Sequence, residues 1–192
     1  MRRFRITLLL AAALALPGCG YNQIQADDEK VNAAWSEIEN QYQRRADLIP
    51  NLVKTVEGAA DFERETLEAV IEARSRATSI ELTPEMLSDQ AAMERFAQAQ
   101  GQLSSALSRL FAVAEAYPQL RASEAFRDLQ AQLEGTENRI TVARGRYIDA
   151  VRQYNTLVRT FPTLITAKVI GARPKATFQA REDVGDRPPE VE

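Results

Sequence analysis

Two short polar constellations in this 192-residue chain have the residue types for recognition chemistry. Arg44, Arg45 and Asp47 stand just before Leu48-Ile49-Pro50-Asn51. A guanidinium pairs with a carboxylate or phosphate through a two-pronged fork, so this trio could hold an anion. The weightier alternative is structural: Asp47 caps a helix, and the arginines tie down the break before it. Glu137, Asn138 and Arg139 interrupt an otherwise apolar seam. They could line a polar pocket, but polar seam residues more often form a network that sets helix register. Arg74 or Arg144 is the expected partner of Glu137. Glu63, Glu65, Glu68 and Glu72 spread over more than one helix face, which reads as a solvated surface. Trp35 and Tyr42 stand at helical spacing and read as core.

Composition removes most other chemistry. The chain has no His, which excludes Ser-His and Cys-His catalysis and most zinc or haem sites. Its single Cys excludes an internal disulfide and a Cys metal cluster. The net charge of −3 argues against nucleic acid, which wants a basic face. No P-loop, nucleophile elbow, HExxH or dinucleotide fingerprint occurs. No catalytic residue, metal ligand set or cofactor is therefore assigned, and an enzyme is not expected.

The lone Cys has a different meaning. Arg2, Arg3 and Arg5 are followed by an apolar run, Ile6 to Leu16. That run is shorter than the roughly 20 residues a membrane span needs, but it suits a signal peptide. It ends at Leu16-Pro17-Gly18-Cys19, which resembles a bacterial lipobox, with Pro17 a departure from the usual small residue. The expectation is a signal peptide over 1–18 and acyl chains on Cys19, an effectively permanent anchor. Gly20 in the next position resembles lipoproteins sorted to the outer membrane rather than the inner. Cleavage would remove three arginines and take the formal charge from −3 to −6. Lipid rather than surface charge would then hold the molecule to the membrane.

The elements that must position these residues are helices. Residues 19–26 read as the lipidated Cys and a tether. From Asp27 to Phe161 the chain is rich in helix formers, and its apolar residues step by three and four. Val31, Trp35, Ile38 and Tyr42 mark a first helix to about Arg45. Pro50 predicts a break or sharp kink near 46–50; one long kinked helix is the rival, because the stripe stays in phase through Ile49, Leu52 and Val56. A second helix is expected from about Leu48 to Ser79. A third follows Thr83-Pro84, read as N-cap and first-turn proline, and runs to about Ala116. Its stripe is Met93, Phe96, Gln100, Leu103, Leu107 and Leu110. A fourth starts at an N-cap, Ser123, and ends at Pro162. Short connections favour an all-α, elongated, antiparallel up-down four-helix bundle over 27–162. Residues 163–180 are expected to pack on it as extended chain or short turns, and 181–192 to form a disordered tail.

The chain resembles the LemA family. The carriers are Ala34-Trp35-Ser36, the run Gln41 to Val53, Tyr117-Pro118, the run Leu133 to Ile140, Ala143-Arg144, Tyr154-Asn155 and Phe161-Pro162. The resemblance implies a helical bundle held at the bacterial envelope and facing away from the cytoplasm. It implies no established reaction. Many members carry His-Glu where this chain has Phe62-Glu63, so an imidazole is missing here. The function expected is a non-catalytic interaction or scaffold module on the periplasmic side, lipid-anchored through Cys19, with an envelope protein as partner. The alternatives are an enzyme or accessory subunit acting on envelope material through a polar pocket, and a structural protein that forms homo-oligomers through leftover apolar surface.

Overall fold

Apolar side chains recurring every three or four residues give each helix one face that must leave water. In the computed structural model, which describes residues 18–59 and 62–178, those faces meet in a helical bundle. The elements are α1 (Gly18–Glu57), α2 (Arg64–Thr78), a 3-10 turn (Met86–Ser88), α3 (Gln90–Ala114), α4 (Pro118–Ala122), α5 (Glu124–Arg159) and α6 (Thr163–Ile170). No strand occurs among the described residues.

The two longest helices, α1 and α5, lie antiparallel along their lengths. At about 1.5 Å per residue each is a rod of some 54–60 Å. The α2–α3 hairpin packs against them. The core falls into two apolar clusters. One gathers Ile24, Val31, Trp35 and Ile38 of α1 with Ile140, Tyr147, Val151 and Tyr154 of α5. The other gathers Ile49, Leu52 and Val56 with Val70, Leu103, Leu110, Phe126 and Leu133. Each fully buried aliphatic side chain contributes about 1.5–3 kcal/mol. Four helices, α1, α2, α3 and α5, run up, down, up and down, in the expected all-α architecture, with α2 much the shortest at 15 residues.

Several boundaries differ from the sequence reading. There is no break at 46–50: α1 runs unbroken through Pro50. The reason is a replacement donor. Proline cannot bond the carbonyl four residues back, that of Ala46. Arg74 Nε, on α2, donates to that carbonyl at 2.8 Å instead. The expected second helix is therefore divided. Its first part, to Glu57, belongs to α1, and α2 starts at Arg64. Nor is 20–26 a tether. It is helical because Ile24 is buried in the core and Gly20 meets Thr163 of α6.

Thr83-Pro84 does not open the third helix. Asp89 does, its carboxylate accepting from the backbone N–H groups of Ala91 and Ala92. Ser123 does cap α5, accepting from the N–H of Phe126. Past Pro162 the chain forms α6, which Gly171 ends at φ +72°, a conformation glycine reaches without strain. Extended chain then runs from 172 to 178. Of the signal peptide expected over 1–18, residues 1–17 lie outside the described residues, as does the tail expected at 181–192.

Candidate functional site

The polar residues singled out in the sequence do not form one site. Arg45 and Glu137 meet, whereas Arg44, Asp47, Asn138 and Arg139 are exposed. Asp47 accepts from Gln43 one turn back and caps nothing, since α1 continues past it. Arg44 and Arg139 line a shallow groove with Asp128 and Gln132. Trp35 and Tyr42 are core residues. Glu63, Glu65, Glu68 and Glu72 are exposed, with surface partners such as Arg109 and Arg76. Surface pairs of this kind contribute little.

Arg45 is the centre of a polar layer between the two apolar clusters. It is 1% exposed, the largest fully buried side chain among the described residues. Its Nη1 donates to Glu137 Oε2 at 2.7 Å and to Ser104 Oγ at 2.8 Å. Its Nη2 donates to Gln100 Oε1 at 2.6 Å and to the Gln100 carbonyl at 3.3 Å. Gln100 Nε2 passes the chain on to the Ala77 carbonyl of α2 at 3.1 Å. One guanidinium thus joins α1, α3 and α5 directly, and α2 through Gln100. The Arg45 guanidinium carbon also lies 5.0 Å from the Tyr42 ring centre, a cation–π contact. Arg45 Nε has no partner in this network.

Neither Arg74 nor Arg144 pairs with Glu137. Arg74 serves the Ala46 carbonyl, and Arg144 stacks 4.3 Å from the Phe178 ring centre. The Glu137 side chain is half exposed, so the pair is buried at the cation only. The sequence reading passed over Gln100 and Ser104 as polar partners. The signal was present: Gln100 holds a seam position between Phe96 and Leu103, where an apolar residue belongs.

A second set of polar contacts secures the extended chain after α6. Asn155 donates to the Lys175 carbonyl at 2.9 Å and accepts from the Lys175 N–H at 2.7 Å. Ala176 donates to the Leu87 carbonyl, and Tyr147 donates its hydroxyl to the Ala176 carbonyl at 3.0 Å. Phe178 is thereby set against Trp35 and Tyr147. Burial raises the pKa of the Tyr147 hydroxyl well above its ordinary value, and that of Tyr42 as well, though Arg144 and Arg45 oppose the latter. Burial also pushes the Asp27 carboxyl up, but bonds from Lys30 and Gln23 outweigh it and hold the carboxyl below its usual range.

A groove of about 470 Å³ lies between α1 and the chain from Ala77 to Pro84. Asn32, Trp35, Glu39 and Gln100 are among its walls. Asn32 Oδ1 and Trp35 Nε1 are buried without a partner. Among the described residues no group of His, Cys, Asp or Glu could hold a metal ion. None of their helices is long and apolar enough to cross a membrane. Phe62, at the position where the family resemblance leads one to look for His, packs on the Tyr117 ring at 4.9 Å.

Fold and site together define an all-helical bundle whose buried charge is spent on joining its own helices. A sequence profile described as the LemA family matches residues 34–192, and the chain belongs to that family. It is 27% identical over 187 residues to Magnetosome protein MamQ of Magnetospirillum gryphiswaldense, covering 88% of this chain and 67% of the relative. Magnetosome protein MamQ 2 of Paramagnetospirillum magneticum is 26% identical, with the same coverage. Protein LemA of Metamycoplasma hominis is 24% identical over 161 residues, covering 84% of this chain and 69% of that one. These kinships suggest a membrane-associated protein and name no reaction.

Proposed function

We propose that this protein is a lipid-anchored, non-catalytic interaction module on the periplasmic side of the envelope, with the outer membrane favoured as its site. One observation carries the reading: Cys19, which closes the lipobox-like segment, lies in the first turn of a 40-residue helix that runs the length of the bundle. A lipid there fixes one end of a rod and leaves the other to meet an envelope protein. The polar residues with chemical potential support the non-catalytic half of the proposal. Arg45 is consumed by structure, while Arg44 and Arg139 face solvent on a shallow groove. Kinship to proteins named for the magnetosome favours a part of a larger assembly over a free enzyme.

The test is cross-linking in the native membranes, beside a Cys19→Ala control. Capture of a defined protein, lost in the control, is the expected result. Capture of nothing but further copies of this chain would sink the interaction module and favour a self-assembling structural protein. A second reading rests on the groove beside Trp35, whose unpartnered Nε1 and Asn32 Oδ1 suit a small polar ligand. A shift in the fluorescence of Trp35, the sole tryptophan, on adding envelope extracts of small molecules would favour it.

A further inference from the structure

An exposed apolar side chain that stands alone, as Ile71 on α2 does, means nothing. The region around α6 is different. Phe161 is 77% exposed, Ile165 58% and Val169 81%, and Ile170 is also open to solvent. Ile165 and Val169 are four residues apart on α6, so they form one stripe along that helix, and the exposed Phe161 stands in the turn just before it. Thr166 and Ala167 point the other way and are buried. Tyr21 of α1, also exposed, lines the same groove as Ile170 and Arg173 and extends the patch toward the start of α1.

Charge distinguishes the region a second time. Residues 150–178 contain Arg152, Arg159, Lys168, Arg173 and Lys175 and no Asp or Glu, in a chain whose net charge is negative. Arg152 pairs with Asp149 and Lys175 with Asp28. Arg159, Lys168 and Arg173 are exposed, and no ion pair engages them among the described residues.

Position is the third observation. Gly20 lies so close to α6 that a Cβ built there would stand 2.8 Å from the Thr163 methyl. That methyl cannot swing away freely, because the Thr163 hydroxyl is bonded to the carbonyls of Leu157 and Thr160. Cys19, one residue before Gly20, is therefore held at the root of the apolar stripe.

We infer that the α6 stripe of Ile165 and Val169 with the neighbouring Phe161, rimmed by Arg159, Lys168 and Arg173, rests in the headgroup region of the anionic leaflet that holds the anchor. The inference builds on the proposed lipid at Cys19, since that lipid brings α6 to the surface. Short apolar faces with a basic rim settle at the boundary of headgroups and acyl chains, with lysine and arginine stems reaching back to the phosphates. Each cation near such a surface adds about 1 kcal/mol, a roughly fivefold gain in partitioning. The anchor and α6 together make a two-point attachment. A single lipid would leave the rod free to swing; two points fix its tilt and the direction in which its far end is offered.

The experiment uses the full-length protein processed in its own cell and returned to vesicles of phosphatidylcholine with or without phosphatidylglycerol. The mass of the N-terminal peptide first reports whether Cys19 is acylated. A fluorophore on Val169→Cys is then read against one on Ser108→Cys, on the exposed far half of α3, using lipids brominated in the acyl chain as quenchers. Quenching at 169 and not at 108, about fivefold weaker after Lys168→Gln in phosphatidylglycerol vesicles, is the expected result. Phe161→Asp with Ile165→Asp should reduce it to the level at 108. An acylated protein with equal, negligible quenching at both positions would overturn the docking and leave the anchor standing. Quenching at 169 without acyl on Cys19 would overturn the anchor instead, and keep the docking. Shielding of 169 in native membranes but never in pure lipid would assign the patch to a protein and overturn the docking.

Discussion

Arg45 and Glu137 form one ion pair with two unequal partners. Removing Arg45 takes a fully buried side chain and its bonds to α3 and α5. Arg45→Ala is expected to cost about 3 kcal/mol, from the cavity and from the stranded Gln100 and Ser104 groups. Removing the half-exposed carboxylate is cheaper, since water already shares it. Glu137→Gln should cost about 1 kcal/mol. Urea unfolding of the two variants checks the difference; equal costs would mean that the layer depends on the charge pair rather than on the Arg45–Gln100 bonds. Tyr147 offers a pH test. Its folded pKa is raised above the ordinary 10.0, so the fold favours the protonated form. That stabilisation is present in full below pH 10 and is lost as pH rises further, because the unfolded chain ionises first. Tyr147→Phe should be less stable than the parent at neutral pH by about 1 kcal/mol, having orphaned the Ala176 carbonyl. It should also lose less stability between pH 9 and 11, as read by thermal melts.

At the scale of elements, Pro50 shows how a local rule yields to a distant residue. Read alone, the segment 46–50 must break, and the stripe that stays in phase through Ile49 and Leu52 is the only sign that it does not. The deciding group is Arg74 Nε, 28 residues further on, which fills the place of the missing proline donor. No local pattern announces that pairing. The case makes a double-mutant cycle. Arg74→Met in the parent leaves the Ala46 carbonyl unpaired and should cost about 1–2 kcal/mol. Pro50→Ala restores a main-chain N–H, so Arg74→Met should cost about 1 kcal/mol less in that background. Additive costs would show that Arg74 stabilises by some other contact. The stripes and the Ser123 cap were legible because their periods and side-chain types are local. The start of α3 was misread for the same reason in reverse: Thr83-Pro84 and Asp89 both have the chemistry of a helix start, and only Asp89 has N–H groups within reach. In the candidate site, residue types were legible and their pairing was not. Arg45 and Glu137 are 92 residues apart, and nothing in either neighbourhood names the other.

At the scale of the molecule, the polar layer separates two cores with different closures. The far core is closed by helices and their short connections. The core near Cys19 is closed by α6 and by seven residues of extended chain, 172–178, whose backbone is held by side chains of other elements. Phe178 sits against Trp35, Tyr147 and Arg144. Its removal opens one core and leaves the other intact. Phe178→Ala should therefore cost about 3 kcal/mol. The loss should be uneven: faster amide exchange across Val31–Tyr42 and Ala143–Tyr154, little change across Leu103–Leu110. Uniformly faster exchange would show that the two cores unfold as one, with the Arg45 layer coupling rather than dividing them. Uneven exchange has a functional consequence. The segment that closes this core follows directly on α6, so whatever pulls on α6 also loads the contacts of Phe178. An attachment at that end would then be felt first by the nearer core, while the far end of the rod keeps its shape for whatever it meets.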